Sequence, residues 1–185
     1  MLGMSELKMG TTVTHNNQPF EIIKAEHHKM GRGGAVLKLK LRNLIDGSVL
    51  EKTIQGNDSL DRADLEHKDV QFLYGDANSY SFMDQESYET VTLDKNQIGE
   101  KAQYLKEGLE VEAMYFNGKP VTIDLPIKLK MKVISAPPSI KGDTAQGGTK
   151  QVTLETGLVV NAPLFIKEGE VVVVDTRDGS YVERA

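Results

Sequence analysis

Apolar and polar residues alternate along most of this chain, with the period of strands. In Val36-Leu37-Lys38-Leu39-Lys40-Leu41-Arg42 the three leucines share one face and Lys38, Lys40 and Arg42 the other, because successive strand side chains point to opposite sides. Asp46-Gly47, a favoured type I′ turn pair, follows, and residues 49–54 are predicted as the return strand. Residues 70–74 with 80–83, 111–116 with 121–125 across Asn117-Gly118, and 171–175 with 180–182 across Asp178-Gly179 read as further hairpins. Sequential strands joined by short turns build antiparallel sheets. Phe20, Phe72 and Phe82 are expected in the core.

Helix is scarce. Residues 95–107 are predicted as one, with Ile98, Ala102 and Leu105 at i, i+4 and i+7 and Gly108 as its stop. Residues 57–65 are predicted as a short helix capped by Asn57 or Asp58, and a second break falls at Leu125-Pro126-Ile127. The chain of 185 residues thereby divides into 1–63, 64–127 and 128–185. Units this small need a closed or nearly closed barrel to bury a core, and the common solutions are SH3-like and five-stranded OB barrels.

Charge separates the three units. The first has 9 basic and 7 acidic residues, the second 5 and 13, the third 8 and 7, giving +2, −8 and +1. An acidic middle is a poor surface for a polyphosphate, whereas the ends suit one; the same −8 equally keeps a protein soluble. Cysteine is absent, which removes disulfides, thiolate catalysis and cysteine-bound zinc. The N-terminus lacks a signal-peptide pattern and no apolar run spans a bilayer, so a cytoplasmic protein with no membrane partner is expected.

The search for chemistry centres on Lys29-Met30-Gly31-Arg32-Gly33-Gly34-Ala35-Val36. Glycines at 31, 33 and 34 make a tight turn with little side chain around one projecting guanidinium. Bare backbone and a cation suit close approach to a phosphate chain or nucleotide end; the plainer reading is a glycine hairpin with a surface arginine. Lys38, Lys40 and Arg42 lead away from this tip as a basic strip that Lys29 and Lys52 extend, a pattern that a half-buried strand also shows by itself. His27 and His28 point to opposite faces, and His15 and His67 have no ligand spacing, so no metal is expected. Residues 141–150 resemble a phosphate loop but lack the Gly-Lys-Ser/Thr ending, and no nucleophile elbow occurs. Neither a catalytic residue nor a cofactor is expected.

Several separated stretches together resemble bacterial elongation factor P over essentially the whole chain. They are Ser5 to Val13, Gly31 to Leu44, Glu51-Lys52-Thr53, Lys141 to Ala145, Gly157 to Ile166 with Gly169-Glu170, and Asp175 to Arg184. The resemblance implies an all-β chain of three tandem barrels: an SH3-like, KOW-type barrel and two OB-folds in an elongated L. It implies a monomeric, non-enzymatic factor that binds the ribosome between the P and E sites, contacts peptidyl-tRNA and relieves consecutive-proline stalls. The tip, with Arg32, Lys29, Gly31, Gly33, Gly34, Lys40 and Arg42, would meet the CCA end, and Tyr181 and Arg184 the small-subunit side. Relatives with lysine at the tip extend it with β-lysine, for which Arg32 offers no amine; another branch carries rhamnose on a tip arginine. Here Gly33-Gly34 replaces the polar residue usual after that arginine. Arg32 is therefore either a substrate for an arginine-modifying enzyme or active bare. The barrels alone also fit a generic RNA-binding protein of ribosome assembly or transcripts, or an oligosaccharide- or small-molecule-binding barrel.

Overall fold

In the computed structural model, residues 1–30, 34–138 and 148–185 are described, with backbone only at 29, 30 and 34. They form three antiparallel five-stranded sheets in chain order. The first contains β1 (Thr12–His15), β2 (Gln18–Met30), β3 (Gly34–Asn43), β4 (Val49–Gln55) and β5 (Asp61–Arg62), ordered β4-β3-β2-β1-β5. The second contains β6 (Glu66–Gly75), β7 (Ser79–Asp84), β8 (Thr90–Asp94), β9 (Glu110–Phe116) and β10 (Lys119–Asp124), ordered β10-β9-β6-β7-β8. The third contains β11 (Lys128–Ser135), β12 (Thr149–Leu154), β13 (Val159–Pro163), β14 (Val171–Asp175) and β15 (Ser180–Arg184), ordered β13-β12-β11-β14-β15. Curling brings β10 near β8 and β13 near β15, which covers the edges of sheets otherwise open to pairing.

Each sheet closes on its own apolar cluster. Leu37, Leu39 and Leu41 join Val13, Phe20, Ile22 and Ile54 in the first. Phe72 and Phe82 lie in the second, their rings 5.4 Å apart, and Met131, Leu154 and Val172 in the third. These inward residues are the alternate apolar positions of the strands.

The four hairpins read from the sequence are present, but not all their turns are as expected. Asn117 and Gly118 both have positive φ, at 51° and 74°, the signature of a type I′ turn. At Asp46-Gly47 only the glycine does, at 75°, so the link is a longer loop pinned by Asp46 accepting the Ser48 N–H at 2.9 Å. Asn16 and Asn17, at 48° and 62°, make a type I′ turn between β1 and β2 that the sequence reading passed over.

Two helices are corrected. Residues 57–65 hold no helix: Asp61 and Arg62 pair with Thr14 and Val13, adding an edge to the first sheet. The stretch 95–107 holds only α1 (Lys95–Ile98) and a 3-10 turn (Gly99–Tyr104). Gly99 adopts φ 58°, outside the helical range, so the backbone turns there instead of propagating. Asp94 and Gln97 cap α1 reciprocally. The resulting ten-residue segment, 95–104, touches all three sheets.

Candidate nucleic-acid interface

β2 and β3 pair from Phe20–Asn43 out to Met30–Gly34. β4 accompanies β3 only to Val36, and β1 accompanies β2 only over Gln18–Glu21. The last rungs, Lys29–Ala35 and Met30–Gly34, are therefore a two-stranded ribbon beyond the sheet. Gly31, Arg32 and Gly33 lie outside the described residues, as do the side chains of Lys29 and Met30. His27 and His28 are exposed where the ribbon leaves the sheet. Among the described residues, no group of three or more His, Cys, Asp or Glu side chains is arranged to hold a metal.

On the outer face below the ribbon, Lys38 and Lys40 are exposed, and Lys38 lies within electrostatic reach of Glu26. The register adds Lys24 opposite Lys40. It also adds Glu26 opposite Lys38 and Glu51 opposite Lys40. Lys24 bonds Glu26 at 2.7 Å, which lowers the pKa of Glu26 and raises that of Lys24. The strip is thus mixed in sign, with exposed cations at Lys38 and Lys40. Lys52 pairs with Leu39 and so shares the leucine face, half-buried, which removes it from the strip. Lys24 was legible only through the β2–β3 register.

Arg42 sits at the opposite end of the strip from the tip. Its Nη2 donates to Glu21 Oε2 at 2.7 Å, and both side chains are 22% exposed. The register explains this pair. Counting back from Met30–Gly34 would place Ile22 opposite Arg42, but a one-residue bulge between Ile22 and Lys24 shifts the ladder. The bulge keeps Ile22 opposite Leu41 in the core and hands Arg42 a carboxylate.

In the third unit Tyr181 is half-buried and packs on the core, while Arg184 reaches Glu170 at 3.5 Å from an exposed position. Arg177 bonds Asp175 through Nε at 2.9 Å and holds its carboxyl down to about 2. Lys128, Lys130 and Lys132 alternate along the exposed face of β11 and the sequence search passed over them, although their signal is the period-two alternation seen in β3. Of the 141–150 loop, residues 141–147 lie outside the described residues.

The family profile "Elongation factor P (EF-P) KOW-like domain" matches residues 3–60, "Elongation factor P (EF-P) OB domain" 65–123 and "Elongation factor P, C-terminal" 129–184. Elongation factor P of Natranaerobius thermophilus is 41% identical over 184 residues, covering 100% of this chain and 98% of its own. Elongation factor P of Coprothermobacter proteolyticus is 42% identical over 184 residues, covering 100% and 99%. That of Desulforudis audaxviator is 41% identical over 185 residues, covering 100% of both. Among the described residues no helix is long and apolar enough to cross a membrane.

Proposed function

This chain belongs to the elongation factor P family of translation elongation factors, and from that premise we propose that it binds the ribosome between the P and E sites. There it contacts peptidyl-tRNA and speeds peptide bond formation at consecutive prolines. It acts in the cytoplasm as a monomer whose functional modules are residues 1–63, 64–127 and 128–185. The single observation that carries this reading is the β2–β3 ribbon, which projects beyond the first sheet and leads to Gly31, Arg32 and Gly33.

Arg32 and Lys29, with the bare backbone of Gly31, Gly33 and Gly34, hold the CCA end of the peptidyl-tRNA. Lys40 and the neighbouring Lys38 follow its phosphates, and Arg42 stands at the foot of the same strip. A guanidinium offers five donors in a planar fork that matches phosphate oxygens, so Arg32 works bare or after an arginine-modifying enzyme has acted on it. Tyr181 and Arg184 face the small-subunit side. Proline is a constrained nucleophile, and a held CCA end reduces the entropy lost in aligning it; the factor itself moves no proton. The acidic second unit stays clear of RNA.

Synthesis of a triproline peptide by a stalled, reconstituted ribosome tests this. Wild-type protein accelerates it, and Arg32→Ala loses the acceleration while circular dichroism shows the sheets intact. Full activity of Arg32→Ala removes the assigned role of the tip. Cosedimentation with free RNA or precursor subunits, and not with translating ribosomes, supports the generic RNA-binding alternative.

A further inference from the structure

The short segment 95–104 meets the first unit at Gly47, at Arg42 and at Glu21. A Cβ on Gly47 would lie 2.9 Å from the Asn96 carbonyl oxygen. One on Gly99 would lie 3.2 Å from Arg42 Nη1. The third is electrostatic: Lys101 is attracted by Glu21 on the first sheet and by Asp124 at the end of β10, while the Arg42 guanidinium, neutralised in part by Glu21, repels it. Lys101 Nζ also donates to the Ile123 carbonyl oxygen. Burial pushes the Lys101 pKa down, against the pull of Glu21 and Asp124. Around these groups is a cavity of about 710 Å³ bordered by Glu21, Arg42, Lys101, Tyr104, Asp124 and Leu158. Two sheets that meet across such a space are held at one angle by discrete contacts, not by continuous packing.

Asp124 has a second relationship. It stands opposite Glu112 on β9, and Glu112 stands opposite Asp69 on β6. Three carboxylates thus lie side by side across three strands, an unfavourable arrangement for like charges. Lys101 is the counter-charge at one end of this row and also the link to Glu21.

We propose that Glu21, Arg42, Lys101 and Asp124 form a charge latch that sets the angle between the first and second sheets, with Lys101 as the positioning residue. On the functional reading above, the latch fixes where the β2–β3 tip stands relative to the rest of the factor. Arg42 then acts through Glu21 and Lys101. Lys101 touches no substrate; it orients the ribbon that does.

The chain has no cysteine, so two introduced ones are labelled uniquely. Gln55→Cys and Glu89→Cys are exposed positions on the first and second units. Spin-label distances between them, measured off the ribosome, are expected to give one narrow peak in wild type and in Lys101→Arg. In Lys101→Met and Asp124→Asn that peak is lost to a broad distribution. Asp124→Asn also relieves the carboxylate row, so its melting temperature is expected to hold or rise while the angle loosens, which a merely structural role does not produce. Triproline synthesis falls by about tenfold with Lys101→Met, as expected for a displaced positioning group. A narrow peak retained in both Lys101→Met and Asp124→Asn overturns the latch; if Lys101→Met does not fold, Asp124→Asn decides alone. Loosened distances with unchanged synthesis leave the latch standing and overturn its link to the tip.

Discussion

The two junctions of this molecule are built from different chemistry. Between the first and second sheets the space is open: Glu21, Arg42, Lys101 and Asp124 border a cavity also lined by Met9, Ile23, Leu44 and Met114, and the polar contacts across it are charged. Between the second and third sheets the contacts are apolar and shared. Tyr104, at the end of the 95–104 segment, is 4% exposed and is counted within the third core. Leu109 and Leu125 pack against both the second and third cores. Polar contacts then close around them: Lys106 Nζ donates to the Lys130 carbonyl and to Glu155, each at 2.9 Å, and Thr176 Oγ1 donates to the Pro126 carbonyl at 2.8 Å. Apolar surface removed from water is little affected by salt and adjusts poorly to rotation, whereas charges bordering an open cleft are screened, the exposed Asp124 more than the part-exposed Glu21 and Arg42 and the buried Lys101 least. The second and third units are therefore expected to move as one body, with the first steered against them.

The largest expected effect strikes the apolar junction. Tyr104→Ala removes a buried ring from the third core and is expected to lower stability by about 3–5 kcal/mol in denaturant unfolding. The second and third units are expected to separate into two transitions while the first-to-second distance stays narrow. A single unshifted transition contradicts the shared core.

A smaller effect is expected at the charged junction. Gly47→Ala places a Cβ 2.9 Å from the Asn96 oxygen at φ 75°. Strain of about 1–3 kcal/mol is expected at such a position. Because the cleft is open, the first unit is expected to shift and not unfold, seen as faster amide exchange in 95–99 with the third unit unchanged.

The smallest effect is a pH dependence at the turn facing Tyr104, whose hydroxyl would lie 3.1 Å from a Cβ on Gly179. Arg177 holds Asp175 at about 2, below its ordinary 3.8. The folded carboxyl is the stronger acid, so its stabilising contribution is complete above 3.8 and is lost as pH falls through about 2. Acid unfolding of the third unit is expected to steepen in that window in wild type and to flatten in Arg177→Ala. Identical acid curves for the two proteins rule out this pair as the source.

Much of the sheet architecture was legible because strand alternation states which side chains go inward: Leu37, Leu39 and Leu41 are buried as their spacing requires. The errors share a cause. Periodicity at Ile98, Ala102 and Leu105 pointed to a helix, and Ile98 and Leu105 are buried, but Gly99 at φ 58° breaks the backbone between them. Asp46-Gly47 matched a turn pair in letters but not in dihedrals, whereas Asn117-Gly118 matched in both. Asp61 and Arg62 pair with β1, a partner some 50 positions away that local pattern does not specify. The same holds for the site. The lysine face of β3 was legible; Glu26 and Glu51 upon it, and the bulge that gives Arg42 its Glu21, belong to neighbouring strands and appear only with the register. No motif marked the 95–104 segment as the place where three sheets meet, because its contacts are made by ordinary residues whose partners are distant in sequence.

The contrast between the junctions is tested most directly in otherwise unaltered protein. Spin labels at positions 55 and 89 report the first junction, and labels at 89 and 168 the second; all three are exposed. Salt is raised from about 0.1 M to about 1 M, which shortens the screening length from about 10 Å to about 3 Å. The 55–89 distribution is expected to broaden while the 89–168 distribution keeps its position and width. A 55–89 distance indifferent to salt, or an 89–168 distance that broadens with it, would contradict the account.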